Sequence, residues 1–338
     1  MSHRFFRQSR RLAGICLLQV GAALFSLFWQ IGAAQSAAPA NPAGIDLRPA
    51  VTSPWASQAM MLGVTRAGKR IVAVGDHGVV LLSDDDGKSF RQARAVPRRA
   101  TLAAVSFVDE NEGWAVGHGG TILHSTDGGE TWTVQREDYT VDQPLFGVWF
   151  KDKKVGIAGG LWSLLLRTED GGKTWQKIKL PAASGAAHAD YSLFCIFAGA
   201  RGQLFMTAER GTVYRSDDAG QSWQPLLTMS PATLWTGLSL RGGVLLVAGV
   251  RGHILRSTDF GSTWKEVDTS SKGSITAMTQ LTDGSVIAVG LDGSSLLSHD
   301  DGATFTATPR ADRSTATAVI ATHQGTPLVF TENGVEQP

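Results

Sequence analysis

The chain has 338 residues, with 39 glycines, only 3 tyrosines, 18% charged residues and 43% hydrophobic ones. That length fits one large domain or two ordinary ones, and the composition excludes a disordered chain. With residues 1–34 set aside, 27 Lys and Arg face 30 Asp and Glu, a net charge of −3 instead of +1; this excludes a globally basic nucleic-acid binder. Abundant glycine between short apolar runs favours an all-β chain.

The N-terminus carries Arg4, Arg7, Arg10 and Arg11 without an acid, then an apolar stretch from Leu12 to Ile31, then small residues at Gly32-Ala33-Ala34 and Ser36-Ala37-Ala38. This order predicts a signal peptide over 1–34, a linker over 35–44 and one domain over 45–338. The expected location is the periplasm or the outer face of the inner membrane. The apolar stretch is also long enough to span a bilayer, so an uncleaved anchor is the alternative. Cys16 lies in the signal, and Cys195, in the run Leu193-Phe194-Cys195-Ile196-Phe197, reads as a buried small hydrophobe.

From residue 83 onward one motif dominates: Ser/Thr-x-Asp-x-Gly-x-Ser/Thr-Trp/Phe, from Ser83 to Phe90, Ser125 to Trp132, Thr168 to Trp175, Ser216 to Trp223, Ser257 to Trp264 and Ser298 to Phe305. The closing aromatics are 42, 43, 48, 41 and 41 residues apart. A carboxylate can accept backbone N–H bonds within its own turn, glycine can take positive φ, and the aromatic can bury a large area. Asp85, Asp127, Asp170, Asp218, Asp259 and Asp300 are therefore read as structural. Before each box stand apolar runs separated by a turn, as in Gly75-Asp76-His77-Gly78 and Gly117-His118-Gly119-Gly120. Four short strands per roughly 40 residues is a propeller blade.

Six boxes give six blades. A seventh unit without a box follows, with strands expected at Ala316–Ala321, Pro327–Phe330 and Val335–Pro338. The expectation is a seven-bladed all-β propeller of four-stranded antiparallel blades, closed by pairing of the terminal strands. Residues 46–52 would supply the last outer strand, which would remove an exposed edge. A six-bladed ring with a loose tail is the alternative.

Turns alternate between the two faces of such a disc. The boxes share one face, and the glycine turns lie opposite beside the loops that join blades. The loop face gathers Arg98, Arg99, Arg136, Arg210, Arg251, Arg310 and Arg313, together with Arg94, and is read as a basic partner-binding face. The bland alternative is solvated loop arginines. His77 and His118 fall in equivalent turns, but two histidines alone are weak evidence for zinc, and no metal or other cofactor is expected. Neither a Gly-x-Ser-x-Gly elbow nor a P-loop occurs, so no catalytic residue is assigned.

The boxes are those of the BNR, or Asp-box, repeat, which sialidases, other glycoside hydrolases and sortilin-like receptors also carry. Sialidases need a tyrosine nucleophile and an arginine triad, against which this chain offers Tyr139, Tyr191 and Tyr214 and no Arg-Ile-Pro motif. Over the whole mature chain, phrases such as Gly113-Trp114-Ala115-Val116-Gly117 and the run from Ile122 to Trp132 resemble the photosystem II stability/assembly factor family. The resemblance implies a non-enzymatic propeller that helps membrane subunits assemble, with an arginine-rich patch to which Arg98-Arg99 is similar in kind. The expected function is a monomeric, non-catalytic exported scaffold for a membrane-protein client. The alternative is a glycan-active or glycan-binding protein of sialidase or glucanase type.

Overall fold

A computed structural model of the chain describes residues 47–182, 190–269 and 271–336. The expected signal and linker, residues 1–34 and 35–44, lie outside the described residues. The described residues form seven antiparallel sheets arranged as the blades of a propeller. Blade 1 comprises Met61–Ala67, Arg70–Gly75, Val80–Ser83 and Arg91–Gln92, paired in that order. Blades 2 to 6 repeat the plan, and blade 7 has three strands, Ala316–Ala321, Pro327–Thr331 and Gly334–Val335.

The second strand of each blade explains the continuous apolar runs. It is covered on both faces by adjacent blades, so Gly113–Gly117, Leu204–Ala208 and Val286–Gly290 are buried at every position. Among the described residues the core is correspondingly divided into seven clusters, each shared by two neighbouring blades. Val72 and Leu82 pack with Leu102 and Leu123 between blades 1 and 2. The last cluster joins Leu328 and Phe330 of blade 7 to Ile71 and Leu81 of blade 1 and closes the ring. Phe90 meets Phe330 edge-on at 5.8 Å within it.

The closure differs from the expected pairing of terminal strands. Among the described residues no strand from the N-terminal segment joins the blade 7 sheet, and residues 50–53 run along the outer strand of blade 1 instead. Ala50 N–H donates to Val96 O at 3.0 Å. Gln92 accepts from Ser53 N–H and donates to Val51 O, both at 3.0 Å. Pro49 and Pro54 flank this stretch and contribute no backbone donor to a ladder. The chain then turns through Ala56–Gln58, whose backbone crosses Gly334 so closely that a Cβ there would meet Gln58 Cα at 2.6 Å.

Candidate functional site

The boxes form one repeated hydrogen-bond unit. In blade 3, Thr168 Oγ1 donates to Asp170 Oδ1 at 2.8 Å and accepts from Gly172 N–H at 2.9 Å. The same carboxylate accepts from Thr174 N–H at 2.9 Å and from Thr174 Oγ1 at 2.7 Å. Asp85, Asp127, Asp218, Asp259 and Asp300 repeat these bonds. Donors that surround an anion favour its charged form. Backbone and hydroxyl donation from Thr174, followed by Thr168, holds the Asp170 carboxyl at about 2. Hydroxyl donation from Ser89 and Thr304 leads the same effect at Asp85 and Asp300. These aspartates are fully engaged in their own turns.

The loop face places the seven expected arginines around the ring, and it uses them differently. Arg98 forms a fork with Glu137, one arm of it 3.0 Å long. Arg136 donates to Gly120 O at 2.6 Å and to Asp138 at 3.0 Å, and burial pushes its guanidinium below the ordinary value. Arg310 is held by Glu336, Asp312 and Ser314. Arg99 lines a cavity of about 310 Å³ with Trp55 and His77. Arg210, Arg251 and Arg313 are exposed and have no ion-pair partner among the described residues, and all three take left-handed backbone at φ 53, 59 and 55. Arg94 differs from its expected place: it lies within 3.7 Å of Asp127 and 3.6 Å of Glu130 at the next blade's box. There it joins a network of Arg70, Arg91 and Asp84.

Sequence reasoning read the loop face, Trp162 included, by its charge and gave its exposed apolar side chains no role. Val51, Trp55, Val141, Trp162, Leu227 and Met229 are all exposed, and all lie in segments at that end of the blades. All but Leu227, which ends the outer strand of blade 4, stand in loops or turns without periodicity, so no pattern marks them in the sequence. The face also opens on the central channel, a cavity of about 280 Å³ lined by the inner strands of all seven blades. Phe146 and Phe194 stack there with centroids 5.7 Å apart.

Other candidates resolve into packing. His77 is the second residue of its turn and His118 the first, so the two are not equivalent. Among the described residues no group of three or more His, Cys, Asp or Glu is placed to hold a metal. Tyr214 is buried within its blade with its hydroxyl 3.5 Å from Pro181 O, and burial pushes its phenol up to about 12. It is no surface nucleophile. Burial likewise pushes the Cys195 thiol up to about 11.

Comparison with known proteins agrees with this architecture. A curated relative, photosystem II assembly protein Ycf48 from Thermosynechococcus vestitus, is 36% identical over 167 residues, covering 45% of this chain and 45% of that protein. Among solved structures, a YCF48 bound to a D1 peptide matches with a TM-score of 0.67 at 19% identity, over 84% of this chain and 94% of that one. YCF48 from Cyanidioschyzon merolae matches at 0.66 and 18% identity, over 84% and 96%. Virginiamycin B lyase from Staphylococcus aureus matches at 0.69 and 13%, over 85% and 96%, so likeness at this level reports the fold alone. The family model described as photosynthesis system II assembly factor YCF48 matches residues 92–320, more than half of the sequence, and the chain belongs to that family.

Proposed function

We propose that this protein is a non-catalytic, exported assembly factor that holds a membrane-protein client on the loop face of its propeller. The observation that carries the reading is the make-up of that face: exposed apolar side chains share it with Arg210, Arg251 and Arg313, which no carboxylate neutralises among the described residues. Aromatic and Arg side chains are the usual anchors of protein recognition, and unpaired charge selects a partner of opposite sign. Family membership supports the assembly role. The relative solved with a D1 peptide supports a polypeptide client, and a photosystem II subunit in hosts that make one. The residue order of the N-terminus supports export.

The test is affinity capture of the tagged mature protein from detergent-solubilised host membranes, with partners identified by mass spectrometry. A membrane protein captured by the native chain and lost on Arg210→Glu/Arg251→Glu/Arg313→Glu is the expected result. Equal capture by both proteins removes the face assignment. Turnover of chromogenic glycosides, lost on removal of a loop-face carboxylate, overturns the non-catalytic reading.

A further inference from the structure

Blade 3 departs from the other six at its loop-face turn. Six turns end in glycine at positive φ, at Gly78, Gly120, Gly211, Gly252, Gly293 and Gly334. The residue before that glycine is also left-handed in most blades, at His77, Arg210, Arg251 and Asp292; blade 3 puts Trp162 at this position, φ 51, and Ser163 in place of the glycine, φ 56. A bulky aromatic there is sterically disfavoured, and such outliers persist where the surroundings impose them, often at binding sites. The surroundings do so here. Ser163 donates from N–H and Oγ to Tyr191 O at 2.9 and 3.1 Å, tying the turn to the residues that begin blade 4. The indole is held 55% exposed.

Beside Trp162 lies a cavity of about 430 Å³ that is built in two chemistries. Ile178 and Leu180 give it an apolar floor, and Lys177 and Lys179 stand exposed at its rim. Across Tyr191, the Arg210 guanidinium lies 5.6 Å from the tyrosine ring centre. Lys177, Lys179 and Arg210 have no carboxylate partner among the described residues. Among the described residues Asp190 is the one acid in the cavity wall, and Glu209 precedes Arg210.

We propose that this cavity is the anchor point of the client surface and takes an acidic polypeptide segment, one apolar side chain of which inserts against Trp162. The inference rests on the assembly-factor reading and adds the partner's chemistry to it. An apolar floor with a cationic rim matches an apolar side chain flanked by carboxylates, in which the buried contact gives affinity and the rim gives orientation.

The experiment is fluorescence anisotropy with three labelled dodecapeptides: Glu/Leu mixed, the same with Lys for Glu, and the same with Ser for Leu. The Glu/Leu peptide is expected to bind, and the other two at least tenfold more weakly. Trp162→Ala and Lys177→Glu/Lys179→Glu are each expected to weaken it at least tenfold, with unchanged circular dichroism and melting. Lys69→Glu on the opposite face, exposed and without an ion pair among the described residues, is the control. Absence of Glu/Leu binding, equal binding of the Lys or Ser peptide, or binding indifferent to both variants overturns the proposal. Trp162-dependent binding of vesicles of anionic and zwitterionic lipid would assign the cavity to a lipid surface and overturn it too, as would Trp162-dependent dimerisation in sedimentation. Membrane capture separates the two readings: a client held equally by native protein and Trp162→Ala removes this inference alone, whereas no client in either removes the function.

Discussion

Thr317 in the last blade donates its hydroxyl to Met61 O in the first at 2.5 Å, and Thr276 donates to Ala316 O at 2.6 Å across the preceding junction. The seam where the chain's ends meet is thus built like an interior joint. Apolar contacts follow the same rule, since box residue Gly87 of blade 1 faces Leu328 of blade 7 as Gly302 of blade 6 faces Leu246 of blade 5. In both pairs a Cβ on the glycine would stand 2.7 Å from leucine Cδ2. On the same box-bearing rim, Asp86 binds Arg66 at 2.7 Å and His323 at 2.9 Å, and Arg66 also reaches Ala321 O at 2.8 Å. A ring joined this way has no need of a shared terminal strand.

Thr317→Val tests that closure. The substitution keeps the shape and leaves the Met61 carbonyl without this donor, a loss of about 1 kcal/mol for one part-buried hydrogen bond. Thr276→Val removes the same bond inside the ring. Urea unfolding midpoints of the two variants should fall together. An unchanged midpoint for Thr317→Val beside a lowered one for Thr276→Val would show that the seam bears no load.

The boxes set the acid limit of the fold. Asp85, Asp170 and Asp300 are held at about 2, below an ordinary value of 3.8, by hydroxyl and backbone donors. The folded carboxyls bind protons less readily than the unfolded ones. Their stabilisation is therefore complete above the unfolded value and is lost as pH falls through the folded one. Urea midpoints should stay level from pH 7 to about 5 and drop between about 4 and 2. Asp170→Asn should lower the midpoint at pH 7 and make the acid drop shallower. An unchanged acid profile in that variant would show that blade 3's box contributes nothing to it.

What the sequence made legible follows from periodicity. Six boxes at near-constant spacing, with a buried second strand in each unit, set the plan of the blade and the two faces, because each feature recurs and each copy checks the others, whereas the seventh blade, without a box, rested on its strand pattern alone. Closure was not legible, since it depends on one non-recurring detail: Gln92 captures both Val51 and Ser53. The arginines were visible by type but not by partner. Arg98 and Glu137 are 39 residues apart and meet only because consecutive blades are adjacent. Trp162 stands at a turn position that the repeat makes left-handed in most blades; its exposure beside a cavity is what no residue pattern encodes.

Trp162→Gly separates binding from stability at that turn. Glycine relieves left-handed strain of about 1–2 kcal/mol. Against this stand about 0.5–1 kcal/mol of added freedom in the unfolded chain and the loss of a half-exposed indole's contacts. The net change should stay within about 1 kcal/mol of native by these opposing terms. Trp114, by contrast, is fully buried between Phe150 at 3.5 Å and His124 at 4.9 Å, and Trp114→Ala should cost about 3–5 kcal/mol. Urea unfolding of both variants decides the matter. A near-native Trp162→Gly would show that the fold itself does not require the indole, as expected of a side chain held for a partner. A loss comparable to that of Trp114→Ala would make Trp162 a packing residue and remove the reason to look for a ligand beside it.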